Sequence, residues 1–234
     1  MSKTKNMPKI FITGGISSGK SGFAERQAVS IYKGNIISVG GGLIGTGHSE
    51  DSCDSGSLAE LSYNPVHFVA TAKFVAGDDK KDNPPVAVHT ETRTDFIDEE
   101  MTLKIKKHKK KRQGVFVVHE NFNDLNEEIK GICRYLADRD GIILIDSMTL
   151  WLSSIFKGLS DYDVAAENIL MLSKYFKGIK CAVITVSDSL GFNMVPADAY
   201  LRKFIELNGL MEQELSSVSD EAYCVIAGNP VSLK

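Results

Sequence analysis

The sequence has few of the features that mark specialised protein classes. Its four cysteines, Cys53, Cys133, Cys181 and Cys224, show no C-x-x-C spacing, which argues against a zinc site and a disulfide framework. Two of them, Cys181 and Cys224, stand in apolar runs, so we expect buried thiols there. No apolar run approaches the roughly 20 residues that a membrane-spanning helix needs. The net charge of −3 provides no general attraction to nucleic acids or anionic membranes.

The length of 234 residues predicts one domain over residues 1–234, because a single hydrophobic core can reach this size. The first residues, MSKTKNMPK, are basic but lack an apolar core, which indicates a short leader and a cytoplasmic protein. Residues 40–62 are rich in Gly and Ser, and residues 76–97 are polar around Pro84 and Pro85. We expect both to be loop insertions, either surface excursions or disordered segments on one interpretation, or an active-site flap on the other.

Short apolar runs alternate with helical patterns along the chain. The predicted strands are residues 9–13, 35–40, 66–71, 115–120, 141–146, 181–187 and 222–228. Helical spacing covers residues 21–33, 98–113 and 125–137. This alternation predicts an α/β fold with a mainly parallel sheet flanked by helices.

A glycine-rich loop lies between the first strand and the first helix, as a phosphate-binding P-loop requires. It reads G-x-x-x-x-G-K-S, and its residues are Gly14, Gly15, Ile16, Ser17, Ser18, Gly19, Lys20 and Ser21. Backbone amides of such a loop, together with the helix N-terminus, form an anion-binding nest. Lys20 would neutralise the β and γ phosphates of a nucleoside triphosphate, and the Ser21 hydroxyl would bind Mg²⁺.

A carboxylate ends the most apolar of the predicted strands. Asp146 closes the run GIILID, and ligands of parallel α/β sheets bind at the carboxyl ends of the strands. Asp146 is therefore a candidate second ligand for Mg²⁺. The alternative is a helix N-cap role, shared with Ser147, for the helix that starts near Met148.

A basic segment, KIKKHKKKR at residues 104–112, surrounds His108 with seven Lys or Arg residues. One interpretation is a solvated helix face or a nucleic-acid patch, although the run lacks the aromatic residues on which single strands stack. Another is that the cations lie over a triphosphate and stabilise its charge. In that setting His108 would be a nucleophile that carries a phosphoryl or nucleotidyl group.

Taken together, five segments resemble the bifunctional adenosylcobinamide kinase/adenosylcobinamide-phosphate guanylyltransferase family. In chain order they are TGGISSGKSGFAE; VATA with the later DEEMTLKIKKHKKKR; Glu120; LIDSMTLWLSSIF; and the C-terminal third from VSDSLG to PVSLK. The resemblance covers most of the chain except residues 1–7 and the two insertions. It implies a RecA-like P-loop NTPase fold and a homotrimer.

The resemblance also implies specific roles. ATP or GTP would phosphorylate a corrinoid substrate, and His108 would accept GMP from GTP and pass it on. Lys20 and His108 are the catalytic candidates, and no nucleic-acid partner or membrane span is expected. Beyond the P-loop, the residues expected at the nucleotide are Thr71, Ala72, Lys73, Lys109, Lys110, Lys111, Arg112, Glu120 and Asp146.

The sequence departs from the family pattern after the strand at residues 181–187. The family has N-E-V-G, whereas this chain has Asp188, Ser189, Leu190 and Gly191. Further changes are Asn193 in place of a glycine and Glu212 in the place of an asparagine. Two alternatives therefore stand beside the bifunctional enzyme: a P-loop small-molecule kinase without guanylyl transfer, and a non-catalytic nucleotide-binding protein.

Overall fold

The computed structural model describes residues 7–32, 66–71, 116–136, 141–192 and 195–234. The predictions made for residues 35–40, 40–62, 76–97 and 98–113 lie outside these ranges, and so do those for Ala72, Lys73, His108 and Lys109 to Arg112.

The described strands form one seven-stranded sheet. They are β1 (Lys9–Gly14), β2 (Val66–Ala70), β3 (Phe116–His119), β4 (Ile142–Asp146), β5 (Ala182–Val186), β6 (Glu221–Ile226) and β7 (Asn229–Ser232). Their order is β3-β2-β4-β5-β1-β6-β7. Every neighbouring pair is parallel except the β6–β7 hairpin at one edge. Placing β5 between the P-loop strand β1 and the Asp146 strand β4 gives the RecA-like arrangement of an α/β sheet.

The described helices lie on both faces of this sheet. They are α1 (Lys20–Tyr32), α2 (Leu125–Leu136), α3 (Met148–Ile155), α4 (Tyr162–Gly178) and α5 (Ala199–Val218), with a 3₁₀ turn at Leu159–Asp161. Helix α1 packs Phe23, Ala24 and Ala28 into one apolar core, while α2 to α5 contribute to the core on the other face.

Alternating residues of the central strands explain this two-sided burial. In β4, Ile143 and Ile145 belong to one core, whereas Ile142 and Leu144 belong to the other. A strand buried on both faces must be apolar at successive positions, so it reads as a continuous hydrophobic run. This confirms the strand predicted at residues 141–146.

The structure confirms the predicted α/β class and the strands near residues 9–13, 66–71, 115–120, 141–146, 181–187 and 222–228. Helices α4 and α5 and the antiparallel strand β7 are elements that the sequence analysis does not assign. Cys181 is buried as expected, but the prediction for Cys224 is wrong, since its side chain is only partly covered near the edge strand β7. Of the described helices, none is long and apolar enough to cross a membrane.

Candidate phosphate-binding site

The carboxyl ends of six parallel strands lie at one edge of the sheet, where α/β proteins bind ligands. The candidate residues found at this edge are Glu120 after β3, Thr71 after β2, Asp146 at the end of β4, Asp188 after β5 and the P-loop after β1. With about 4.8 Å between neighbouring strands, Asp146 lies roughly 10 Å and Glu120 roughly 19 Å across the sheet from β1. Glu120 is therefore at the far end of this edge and does not adjoin the P-loop.

The P-loop has the backbone conformation that its glycines permit. Gly19 has φ of 96°, a left-handed value that favours glycine. A Cβ atom at Gly14 would lie 2.5 Å from the Val225 carbonyl oxygen and 2.7 Å from Ser18 Oγ. Close packing against β6 thus requires glycine at this position, and α1 begins directly behind the loop at Lys20.

Ser18 contributes a hydroxyl that suits an anion and a carbonyl that holds the loop in place. The Ser18 hydroxyl is buried, and within the described part of the chain it has no hydrogen-bond partner. A buried polar atom without a partner is costly, so a ligand oxygen would stabilise it. The Ser18 carbonyl meanwhile accepts a hydrogen bond from the Gly228 amide at 2.9 Å, which fixes the loop against the β6–β7 turn.

Lys20 is directed along the loop and is almost fully buried. Its Nζ donates to the Gly15 carbonyl at 3.1 Å and forms an ion pair with Asp188 Oδ1 at 2.5 Å. The side chain of Lys20 is 9% exposed and that of Asp188 is 23% exposed. The amine thus lies where phosphates bind in P-loops, with a carboxylate as its present counter-ion.

Asp188 is held from three directions by backbone contacts. Its amide donates to Thr149 Oγ1 at 2.8 Å, and its carbonyl accepts from Asn208 Nδ2 at 3.0 Å. The next amide, that of Ser189, donates to the Gly14 carbonyl at 3.0 Å. Thr149 and Asn208 are both buried, and they also bond to each other. This network fixes the backbone of Asp188 and Ser189 relative to the loop.

Glu212 of α5 is a second carboxyl group near the loop. It accepts a short hydrogen bond from the hydroxyl of Thr13, one residue before Gly14. Burial raises the pKa of Glu212, and the nearby charge of Asp188 acts in the same direction.

At the end of β4, the capping role falls to Ser147. Its hydroxyl accepts from the Leu150 amide at 3.3 Å and caps helix α3. Thr71 connects to the same turn, because its hydroxyl donates to the Ser147 carbonyl at 2.5 Å and accepts from the Ser147 amide at 2.9 Å. Asp146 is half-buried at the strand end, where ligands of α/β sheets bind.

Ser21 and Asp146 are hard oxygen donors of the kind that Mg²⁺ selects. Mg²⁺ in P-loop proteins takes few protein ligands and completes its shell with phosphate and water. In residues 7–32, 66–71, 116–136, 141–192 and 195–234, no group of three or more His, Cys, Asp or Glu side chains could hold a metal ion. Ser21 and Asp146 thus fit a metal whose remaining ligands come from phosphate and water.

The sequence profile of the family described as CobU, cobinamide kinase / cobinamide phosphate guanyltransferase, matches residues 86–233. This chain belongs to that family. The "Bifunctional adenosylcobalamin biosynthesis protein CobU" of Salmonella typhimurium is 27% identical over 150 residues, which are 59% of this chain and 81% of the relative. Family membership supports a transferase role in cobalamin biosynthesis.

Two solved structures resemble the fold more weakly. A DnaB-like replicative helicase aligns with a TM-score of 0.46 and 12% identity, over 98% of this chain and 54% of the helicase chain. A Pyrococcus horikoshii OT3 protein aligns with a TM-score of 0.41 and 10% identity, over 99% of this chain and 88% of the other. At these TM-scores neither structure adds to the assignment of function.

From the sequence, Asp188 and Glu212 stand out only as departures from the family pattern, and Thr149 and Asn208 do not stand out at all. Asp188 follows the buried strand β5, as Asp146 ends β4, so the strand-end rule could have found it. Glu212, Thr149 and Asn208 lie within helices, where nothing local distinguishes a residue that faces the site.

Proposed function

We propose that this protein phosphorylates the aminopropanol hydroxyl of adenosylcobinamide with ATP or GTP and then transfers GMP from GTP to the product, giving adenosylcobinamide-GDP. The observation that carries the first reaction is the P-loop with Lys20 buried against it, in a chain of the cobinamide kinase family. The second reaction is supported by the sequence around His108, which lies within the matched residues.

In the kinase reaction, the substrate hydroxyl oxygen attacks the γ-phosphorus, and the bond to the β–γ bridging oxygen breaks. The P-loop amides and Lys20 would hold the phosphates in line for this attack. Mg²⁺, held by Ser21 and Asp146, would neutralise charge on the phosphate oxygens. The described residues thus supply binding, orientation and charge stabilisation.

In the guanylyl reaction, a ring nitrogen of His108 attacks the α-phosphorus of GTP, and pyrophosphate leaves. A phosphate oxygen of adenosylcobinamide phosphate then attacks the same phosphorus and releases the histidine. Ala72, Lys73 and the four cations Lys109, Lys110, Lys111 and Arg112 would surround this nucleotide, with Thr71 and Glu120 at the strand ends beside it. We also propose that the chain forms a single domain and that the protein is a cytoplasmic homotrimer.

Intact mass after incubation with Mg²⁺ and GTP tests the guanylyl reaction. We expect a covalent gain of one GMP in the wild type and in His89→Ala, a control histidine, but none in His108→Ala. A wild-type protein without the adduct would overturn this half of the proposal.

A kinase without guanylyl transfer is the second candidate function, and the Lys20–Asp188 pair favours it. Asp188, the partner of the P-loop lysine, is the first residue of the segment that departs from the family's N-E-V-G. The change therefore keeps a carboxylate beside the phosphate-binding lysine while it alters the family motif. Phosphorylation of adenosylcobinamide by ATP, with no GMP adduct, would establish this alternative.

A further inference from the structure

Phosphate binding by itself does not explain why Lys20 forms an ion pair with Asp188. A lysine whose only role is to bind phosphate does not need a carboxylate held beside it. The pair is also not explained by stability, because a buried ion pair often contributes little to the free energy of folding. Yet the amide and the carbonyl of Asp188 are each held by a buried side chain, from Thr149 and Asn208. Fixed geometry of this kind is what a group acting on a substrate requires.

The position of Asp188 follows from the position of Lys20. In P-loops the lysine amine reaches the β and γ phosphates. Asp188 Oδ1 is 2.5 Å from that amine, so its carboxylate borders the place where the γ-phosphoryl group is transferred. The Asp188 side chain is also the more open of the two, with 23% of its surface exposed against 9% for Lys20. A substrate hydroxyl could therefore reach the carboxylate from solvent.

We propose that Asp188 orients the acceptor hydroxyl and takes its proton during phosphoryl transfer, and that Lys20 masks this carboxylate until a nucleoside triphosphate binds. The inference rests on the kinase reaction proposed above. When triphosphate enters, Lys20 exchanges the carboxylate for phosphate oxygens, and Asp188 becomes free to accept the O–H of the substrate. As the new O–P bond forms and the β–γ bridging bond breaks, the proton moves to the carboxylate and the electron pair leaves on the nucleoside diphosphate.

Glu212 is the other carboxyl group near the P-loop. Glu212 accepts a hydrogen bond from the Thr13 hydroxyl, so this carboxyl group already has a partner within the fold. The Asp188 side chain is partly exposed, and its partner Lys20 is the residue that phosphate would engage. The arrangement leaves Asp188 as the carboxylate that an incoming hydroxyl meets.

The test compares Asp188→Asn, Asp188→Glu and the control Asp163→Asn, an exposed aspartate in the first turn of α4. Calorimetry would measure the affinity for Mg·ATP, and steady-state assays would measure phosphorylation of adenosylcobinamide. We expect Asp188→Asn to lower kcat by about 100-fold or more, the scale of general base catalysis. Its affinity for Mg·ATP should stay equal or rise a few-fold, since no carboxylate competes for Lys20. Asp188→Glu should recover part of kcat, and Asp163→Asn should match the wild type.

Two results would overturn the inference. One is a kcat of Asp188→Asn within about threefold of the wild type, far below the general-base scale. The other is a loss of Mg·ATP affinity as large as the loss of kcat, which would assign Asp188 to nucleotide or metal binding. A wild-type protein that binds ATP without phosphorylating the corrinoid would instead overturn the proposed function and the base role with it. Tighter ATP binding by Asp188→Asn would then still support the masking role.

Discussion

At the P-loop, two oppositely charged groups pair at the carboxyl edge of the sheet, whereas on the β2–β3 side a buried histidine takes part in a row of hydrogen bonds. Lys20 and Asp188 form an ion pair, in which we propose that phosphate replaces the carboxylate as the partner of Lys20. On the other side, His67 of β2 bonds to His119 of β3 at 2.9 Å between Nδ1 and Nε2, and His119 bonds to Glu128 of α2 at 2.6 Å. We call these three residues the histidine cluster.

The histidine cluster differs from the P-loop in what fixes its charge. His67 is 3% exposed, and its Nε2 has no hydrogen-bond partner among the described residues. Burial, with a smaller contribution from His119, lowers the pKa of His67 to about 4. Lys20 and Asp188 are thus oppositely charged partners at the carboxyl edge of the sheet, whereas burial between strand and helix keeps His67 neutral near pH 7.

Removing the P-loop cation should have the largest effect on function. We expect Lys20→Ala to lower kcat/KM for phosphorylation by about 100-fold or more, because a fixed cation at a transferring phosphoryl group contributes on this scale. The matched control is Lys130→Ala, whose ammonium group forms an exposed ion pair with Glu127 at 2.8 Å. Kinetics and thermal unfolding of both variants would check the prediction. Equal activities would show that the P-loop is not the site of phosphoryl transfer.

Acidification should act on the histidine cluster through stability. The unfolded chain binds a proton at His67 near pH 6.5, whereas the folded chain binds it only near pH 4, so the unfolded state holds more protons between these values. Stability should therefore fall as pH falls through this window, by about 2–3 kcal/mol at pH 4 from this residue.

Urea unfolding of the wild type and of His67→Asn between pH 7 and pH 4 would measure this dependence. Asparagine keeps a nitrogen near the Nδ1 position but cannot titrate, so the variant should lose this part of the pH dependence. If the two proteins show the same slope against pH, burial does not keep His67 neutral.

Loosening the support of Asp188 should have a smaller effect on stability but should affect function as well. Asn208 is 1% exposed, and its loss leaves the Asp188 carbonyl and the Thr149 hydroxyl without this partner. We expect Asn208→Ala to cost about 1–2 kcal/mol of folding free energy and to lower kcat more than it raises KM. The control Asn168→Ala removes a bond to the Val164 carbonyl of its own helix and should be close to neutral. A loss of stability with unchanged kcat would limit Asn208 to a structural role.

Much of the fold and of the phosphate site follows from local signals in the sequence. The run GIILID predicts a strand buried on both faces because both of its neighbouring layers are apolar. The spacing from Gly14 to Ser21 predicts the P-loop because glycine conformations, a helix N-terminus and a lysine act over eight consecutive residues. Family membership then follows from the order of several such segments. The roles of His108 and its neighbouring cations remain predictions, since those residues lie outside the described ranges.

What only the tertiary structure decided is which distant residues meet. Strand order places β5 next to β1, and this brings Asp188 to Lys20 across 168 positions of the chain. The packing of α5 brings Asn208 to the carbonyl of Asp188 and Glu212 to Thr13. The pairing of β2 with β3 joins His67 to His119. Local propensity acts within a few residues, whereas these contacts depend on how the sheet is ordered and which helix covers each face.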